Sequence, residues 1–220
     1  MEKTFFEAVV PGKVDEVKEI LRDNPTLDVN WKNDQFFGCT ALHLACTKGF
    51  EAIVAILLAH PGIDVNEKAI HGATPFFWGC TGGHVSCFRL MLKDPRVLVN
   101  EPDNFGNTPL KNAVWWKNPD VIKRWVASGR EMDLGEPGNG ATDAIGGARK
   151  FNLREVLALL ERFQENPAET SRQVLLNFQE TSIGAPNCFV PPCSWISEGN
   201  HHWQVSEEAL KNLAKIVTSS

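Results

Sequence analysis

Residues 38–46 read GCTALHLAC, and this stretch returns twice at a fixed distance. After an interval of 34 residues the chain reads GATPFFWGC (residues 72–80), and after the same interval it reads GNTPLKNAV (residues 106–114). A fourth and weaker copy begins with GATDA at residues 140–144. A constant period of this length predicts a solenoid, in which one supersecondary unit stacks on copies of itself.

Each copy predicts a pair of helices. A threonine precedes the first helix of the pair at positions 40, 74 and 108, where its hydroxyl can accept hydrogen bonds from unpaired N–H groups. Apolar residues at helical spacing mark the second helix, and in the first full copy these are Ile53, Val54, Leu57 and Leu58. Residues 1–30 show similar spacing without the motif, and we predict that they cap the array.

Composition narrows the class of function and the compartment. The formal net charge of −5 argues against a general nucleic-acid binder, because such a protein normally carries a basic face. The first residues hold no basic segment followed by an apolar one, so we expect no secretory signal. The apolar run at residues 52–59 is too short to cross a bilayer. Cys46 and Cys80 share one repeat position, which favours packed thiols over disulfides. These features predict an intracellular protein, either cytoplasmic or nuclear.

The pattern Gly-x-Thr-Pro-Leu-His-x-Ala, then Gly, then Val-x-x-Leu-Leu and Asp-Val-Asn, is similar to the ankyrin repeat. The resemblance covers about residues 1–166, as a cap (1–30) and units of about 31–66, 67–100, 101–135 and 136–166. A C-terminal extension (167–220) follows. The resemblance implies an all-α ankyrin-repeat solenoid with short β-turn fingers. It also implies non-catalytic protein–protein recognition of the scaffold type, with no enzyme activity and no cofactor.

Three departures from the pattern lead to local expectations. The first finger, residues 31–39, is two residues longer than the later ones. The repeat position of His43 is occupied by Phe77 and Lys111 in the next two units. The hydrogen bonds that a histidine side chain makes to the neighbouring turn should therefore be lost in those units. Gly146 and Gly147 lie in the first helix of the last unit, and each helical glycine costs about 1 kcal/mol relative to alanine. We therefore expect that helix to be short or irregular.

The C-terminal extension keeps apolar residues after the period is lost. Asn166-Pro167 predicts the start of a helix whose apolar side holds residues 174–178, and Ser206 predicts a last helix with a stripe from Leu210 to Val217. Residues 180–204 are predicted to be irregular, although they include Phe189, Trp195 and Ile196. A terminal repeat must cover its apolar face, so we expect the extension to pack as a cap.

The resemblance also implies a binding groove, formed by the finger residues beside the turn glycine and by the end of each first helix. Two neighbouring tryptophans, Trp115 and Trp116, fall at such positions, and exposed apolar surface of this kind marks interaction sites. Trp78 and Trp125 fall at packing positions, and Trp31 is undecided. The candidate partner-binding residues are Phe36, Phe37, Lys48, Ile70, His71, Asn104, Phe105, Asn107, Trp115, Trp116, Arg149 and Lys150.

Several alternatives stay open at this point. The partner is a protein or peptide, but the chain's own extension could instead fill the groove, within a monomer or between two copies. No catalytic set of side chains stands out. Cys188, Cys193, His201 and His202 offer donors that suit zinc, although their spacing matches no common finger. A basic cluster in the last two units indicates either solvated helix faces or steering of an acidic partner, and it comprises Lys111, Lys117, Lys123, Arg124, Arg130, Arg149, Lys150 and Arg154.

Overall fold

The computed structural model describes residues 1–140 and 142–182. This part of the chain is all-helical, as predicted, and its extended pairing is limited to an isolated bridge between Asn33 and Cys39. Its α-helices are α1 (Glu2–Val9), α2 (Val14–Asp23), α3 (Ala41–Lys48), α4 (Glu51–Ala59), α5 (Pro75–Gly82), α6 (Val85–Lys93), α7 (Pro109–Trp115), α8 (Pro119–Ser128), α9 (Ala144–Lys150), α10 (Arg154–Glu165) and α11 (Pro167–Ser182).

The first ten helices stack as pairs in two layers. The inner layer runs through α1, α3, α5, α7 and α9, and each of these helices packs against the next. The outer layer runs in the same way through α2, α4, α6, α8 and α10. Between the layers lies one continuous apolar core, which extends from Phe5 in α1 to Phe163 in α10. This nearest-neighbour stacking is the solenoid that the 34-residue period predicts.

The turns between pairs project as fingers, and backbone hydrogen bonds join neighbouring fingers. The amide of Ile70 donates to the carbonyl of Phe37 at 3.0 Å, and Asn104 donates to His71 at 2.9 Å. The first finger is the long one, and its extra residues form a 3-10 helix over Asp34–Phe36. Phe37 follows this helix in the left-handed conformation, with φ of 57°. Side chains at these tips therefore recur at regular intervals along one edge of the stack.

The first helix of each pair starts at a capping residue. Thr74 and Thr108 accept hydrogen bonds from the third helical amide at 3.2 and 3.3 Å, as the motif predicts. In the first full unit the third residue is His43, whose Nδ1 accepts from the Thr40 amide at 3.1 Å. Because Nδ1 accepts there, the imidazole proton lies on Nε2, which donates to the Ala73 carbonyl at 3.0 Å. Both nitrogens are thus satisfied only in the neutral ring.

The expectation that Lys111 loses the bond to the next turn is wrong. The ammonium group of Lys111 donates to the carbonyl of Gly140 at 2.9 Å, so it reaches the following turn as His43 does. A lysine stem is long enough to bury its methylenes along the inner layer while its charged end finds a carbonyl oxygen. For Phe77, which is also buried, the ring has no polar atom to offer, and the side-chain bond is absent at that position.

Helix α9 is short, but the described residues show it as a regular helix of seven residues. Its cap is Asp143 rather than Thr142, so the helix starts one residue later than the period predicts. Burial raises the pKa of Asp143, but N–H groups of Gly138 and Gly146 and the charges of Lys111 and Arg149 outweigh it, and the pKa lies below its usual value.

Gly147 in α9 has a packing role that explains why the helix contains a glycine at this position. A Cβ atom at this position would lie 3.2 Å from Cε of Lys111 and 3.3 Å from Cγ1 of Val114, both in α7. The glycine therefore lets α9 approach α7 closely, and the contact offsets part of the intrinsic helical cost of glycine. The two glycines predict a helix that is short or irregular, and α9 is short and regular.

Helix α11 lies against the outer layer. It follows α10 through Asn166, whose side chain accepts from the Glu169 amide at 3.1 Å, and it packs on both α8 and α10. Val174 contacts the core, and Phe178 lies under the guanidinium group of Arg124 at 3.9 Å from the ring centre. The described repeats and α11 belong to one compact unit. The predictions for residues 183–220, including the Ser206 helix and its stripe, lie outside the described residues.

Buried cysteines and aromatic residues fill the core. Cys46, Cys80 and Cys87 are buried free thiols, and burial raises the pKa of each above its ordinary value, so they stay protonated. Trp125 is fully buried, with its ring 5.0 Å from that of Phe76. The packing prediction for Trp125 is therefore confirmed. Trp78 is only half-buried, beside His43, and Trp31 is half-buried with its edge toward Phe6.

Candidate partner-binding surface

A row of exposed side chains follows the fingertips. We call Phe37, Ile70, His71 and Phe105 the fingertip row. Phe37 is 61% exposed and Phe105 is 68% exposed, while the rings of His71 and Phe105 lie 5.7 Å apart. Phe36 turns partly inward, because its ring packs 5.3 Å from that of Phe6. Backbone hydrogen bonds between the fingers hold the fingertip row in place. In the described part of the chain, no helix or loop covers these side chains.

Beside the last complete finger the structure forms a cleft of about 280 Å³. We call it the aromatic cleft. Its walls come from the inner helices and from the adjoining turns, and its lining residues are Phe77, Asp103, Asn107, Lys111, Asn112, Trp115, Trp116 and Gly140. Trp115 and Trp116 are 54% and 55% exposed at its edge. Because Asp103 and Asn107 also belong to the finger that carries Phe105, the cleft adjoins the fingertip row.

Polar groups around the cleft are held in fixed positions. The carboxylate of Asp103 accepts from the amides of Phe105 and Asn107, each at 2.9 Å, and from the Asn107 side chain. Asn112 donates to the carbonyl of Phe77 at 3.2 Å and to the hydroxyl of Thr81 at 2.7 Å. These hydrogen bonds hold the lining residues of the cleft in place. The Asn107 side chain uses its amide N–H groups within the chain, so it shapes the cleft and does not offer those donors to a partner.

The last residue of α7 and the two residues after it differ from the two preceding units at three successive positions. Gly49 and Gly83 end α3 and α5 in the left-handed conformation, with φ of 80° and 70°. The same repeat position in the next unit holds Lys117, with φ of 56°. A side chain in this conformation is strained, typically by 1–2 kcal/mol relative to glycine. Trp115 and Trp116 come directly before this strained lysine, and strain of this kind often accompanies function.

The shifted start of α9 changes which residues in the last unit correspond to the tryptophans. By simple period, Arg149 and Lys150 should match Trp115 and Trp116. In the structure Phe151 has the backbone conformation of Trp116, and the next residue is left-handed, as Lys117 is. Phe151 packs edge-on against Trp115 at 5.2 Å. The 34-residue period does not predict Phe151 at this place, although Asp143 next to the expected threonine cap was an available signal.

Charged groups near the cleft differ in whether they have a carboxylate partner. Arg149 pairs with Glu161 at 3.1 Å, so this candidate residue is engaged within the chain. Lys117 and Lys150 are exposed, and neither has a carboxylate partner within 4.0 Å in the described part. The ammonium group of Lys117 lies 6.0 Å from the ring centre of Phe151, and that of Lys111 lies 5.6 Å from the ring centre of Trp115.

The structure separates the predicted site residues: Phe36 packs partly inward, Arg149 and Lys150 lie at the end of α9, and the others are distributed as follows. Trp115, Trp116 and Asn107 meet at the aromatic cleft, and the finger candidates other than Phe36 line the fingertips. Lys48 is exposed at the end of α3, in an earlier unit. The repeat pattern does not predict Phe77, Lys117 or Phe151 at this surface. Phe77 is a buried residue that lines the cleft, and the positions of Lys117 and Phe151 depend on how α7 and α9 end.

Comparison with known families decides the identity of the first half of the chain. A family model for ankyrin repeats matches residues 5–101 in three copies. Residues 5–101 are ankyrin repeats. Ankyrin repeats are protein-binding modules and are typically non-catalytic. No curated protein matches the sequence.

Paired helices continue beyond the matched residues. The pairs α7/α8 and α9/α10 stack on the ankyrin repeats in the same two layers. Within residues 1–140 and 142–182, no helix has the length and apolar character to cross a membrane. The same part of the chain holds no group of three or more potential metal ligands. The zinc alternative at Cys188, Cys193, His201 and His202 lies outside the described residues.

Proposed function

We propose that this ankyrin-repeat protein binds a partner protein or peptide through the aromatic cleft and the fingertip row. The observation that carries the proposal is the pair Trp115 and Trp116, which stand where the preceding unit has a threonine and a glycine. A solenoid does not need aromatic side chains at these positions in order to stack, since the two preceding units stack without them. Exposed aromatic groups beside a formed cleft are typical of interaction surfaces.

Energetics support Trp115 and Trp116 as the main anchors. Truncation of an interface tryptophan commonly costs about 2 kcal/mol or more. Both rings are about half exposed, so a partner can cover the free half while the protein already holds the other half in place. This arrangement lowers the entropy that binding must remove from the side chains. Phe37, Ile70 and Phe105 extend the contact along the fingers in this proposal.

We further propose that the binding unit is the array of residues 1–166 and that residues 167–220 are an extension of it. Helix α11 packs on the outer layer and leaves the described cleft open, which supports an external partner at that site. In this proposal the protein acts as a monomer with one protein partner. Occupation of the cleft by the extension of the same or a second chain is the competing outcome in the experiment below.

The test compares the full-length protein with the double variant Trp115→Ala/Trp116→Ala. A matched control is Leu175→Ala/Leu176→Ala, which removes two apolar side chains that are 39% and 37% exposed on α11. Partners crosslinked in a lysate are identified by mass spectrometry, and the affinity of the purified partner is then measured by calorimetry. We expect the tryptophan variant to weaken binding by a hundredfold or more, from about 2 kcal/mol at each residue, and the leucine variant to bind normally.

Two results would contradict the proposal. Equal affinity of the tryptophan variant and the unmodified protein would move the binding site away from the cleft. Crosslinks from Trp115 and Trp116 to residues 183–220, within one chain or between two, would assign the cleft to the extension. Circular dichroism of each variant checks that the helices are retained.

A further inference from the structure

We propose that the segment bound at the aromatic cleft is acidic, with its carboxylates at Lys117 and Lys150 and its apolar side chains on Trp115 and Trp116. This inference rests on the proposed function and names the chemistry of the partner. The proposed ligand is a peptide segment in which acidic and apolar residues alternate or lie close together. Three independent features of the structure support it.

The first feature is the strained position of Lys117. At this place the two preceding units use Gly49 and Gly83, which adopt the left-handed conformation without a steric penalty. Lys117 adopts the same left-handed conformation, so a charged side chain occupies a position where the backbone favours glycine. Its ammonium group lies 6.0 Å from the ring centre of Phe151, and no carboxylate lies within 4.0 Å of it in the described part of the chain, so no ion pair within the array accounts for the charge. A ligand that uses the charge supplies the missing explanation.

The second feature is that Lys117 and Lys150, like the exposed Lys48 and Lys93, take no part in the ion pairs that join the units in the described part of the chain. Lys32 pairs with Glu67 at 2.5 Å, Lys68 with Glu101 at 2.6 Å, and Lys123 with Glu155 at 2.9 Å. These pairs link one unit to the next and use their charges inside the fold. Lys117 and Lys150 lack such partners within the described residues, so their charges are available to an incoming molecule.

The third feature is the continuity of aromatic and cationic groups. The ring of Phe151 contacts that of Trp115 on one side and lies under the Lys117 ammonium group on the other. Lys150 directly precedes Phe151 in the chain, as the last residue of α9, and its side chain is exposed. A carboxylate that approaches Lys117 or Lys150 would therefore place its neighbouring side chains against tryptophan and phenylalanine rings. Ionic contact and apolar burial would come from the same short segment.

Charge complementarity distinguishes the possible occupants. Nucleic acid would meet a chain of net charge −5, which disfavours a long polyanion while still allowing a short acidic segment at a local positive patch. The chain's own residues 183–220 carry three acidic residues, Glu198, Glu207 and Glu208, against the two lysines 211 and 215. That segment is nearly neutral, so an external acidic peptide matches the patch better.

The experiment measures fluorescence anisotropy of three labelled synthetic peptides with the full-length protein. In the first peptide glutamate alternates with leucine, and in the other two serine or lysine replaces glutamate. We expect the acidic peptide to bind about tenfold more tightly than the serine peptide, and the lysine peptide to bind weakest. Raising the salt concentration from about 0.05 M to about 0.5 M should remove most of this preference, because exposed charges are screened.

Variants then assign the preference to the two lysines. Lys117→Glu/Lys150→Glu should weaken the acidic peptide about tenfold, as expected for two exposed ionic contacts that become repulsive. The matched control is Lys48→Glu, an equal charge reversal at an exposed residue of an earlier unit, which should leave the affinity unchanged.

The outcomes separate this inference from the proposed function. If Trp115→Ala/Trp116→Ala abolishes peptide binding but Lys117→Glu/Lys150→Glu does not, the cleft is a binding site and the acidic preference is wrong. If neither variant changes the affinity, both proposals fail at this site. Equal binding of the three peptides, or no binding of the acidic one, overturns the acidic preference. Tighter binding of a single-stranded DNA oligonucleotide, weakened by the lysine variant, would assign the patch to nucleic acid.

Discussion

Lowering the pH from about 7 to about 5 should destabilise the array through His43. This imidazole is fully buried, and burial lowers its pKa from 6.5 to about 4 although the Ala73 carbonyl favours the charged form. Between these two values the unfolded chain binds a proton that the folded chain does not. Stability is therefore complete above pH 6.5, falls as the pH drops and reaches its lower limit near pH 4.

The magnitude follows from the size of the shift. One pKa unit corresponds to 1.36 kcal/mol, so the loss from His43 amounts to about 2 kcal/mol at pH 5 and roughly 3 kcal/mol at pH 4. Depressed carboxyl groups such as Asp94 and Asp143 add their own effect only below about pH 4 to 5, because their ordinary pKa is 3.8. The range from pH 7 to 5 therefore isolates histidine titration from these carboxylates.

Urea unfolding followed by circular dichroism at several pH values measures the effect, and His43→Gln is the matched variant. The glutamine amide can still donate to the Ala73 carbonyl but does not titrate, so the dependence between pH 7 and 5 should shrink by about 2 kcal/mol. Should the variant fail to fold, the NMR titration of His43 in the unmodified protein answers the same question. An imidazole that titrates near 6.5, or a stability that is flat from pH 7 to 5, would refute the reasoning.

Three substitutions test other parts of the account by the same unfolding measurement. Lys117→Gly should raise the unfolding free energy by about 1 kcal/mol, because glycine tolerates the left-handed conformation; a loss would mean that the lysine is not strained. Trp125→Ala should cost about 4 kcal/mol from its fully buried position, whereas Trp115→Ala should cost about 1 kcal/mol or less; similar costs would contradict the assigned burial. Arg124→Met should change stability by less than about 1 kcal/mol, since the buried Nε has no hydrogen-bond partner in the described part; a loss above about 3 kcal/mol would reveal an essential buried charge.

The repeated architecture could be predicted from the sequence because it depends on features that recur. Thr40, Thr74 and Thr108 cap their helices as expected, and residues such as Ile53 and Trp125 are buried where the period places them. Each of these assignments is supported by copies at the same position. The pattern is strong because stacking imposes the same local requirements on every unit.

The details of the candidate site depend on residues that differ from the repeat pattern in one unit only. The 34-residue period carries no information about such residues. Lys111 reaches the next turn because of the length of its own stem, and Asp143 moves the start of α9 by one residue. That shift brings Phe151 into contact with Trp115 and changes the place of Arg149. Backbone conformation at Phe37 and Lys117 is equally invisible, since glycine is the residue that normally signals a left-handed turn. The prediction that Trp115 and Trp116 bind a partner stays a prediction.

Helix α11 also determines how the array responds to force. Each outer helix between α4 and α8 packs on the outer helices before and after it, and α11 packs on α8 and α10 together. A pull transmitted to the carboxyl end of α11 loads both of these helices at once. Because α11 contacts one helix of each of the last two pairs, we expect its detachment to weaken both pairs together. We expect the pairs nearer the amino terminus, which do not pack on α11, to unfold under force independently of this step.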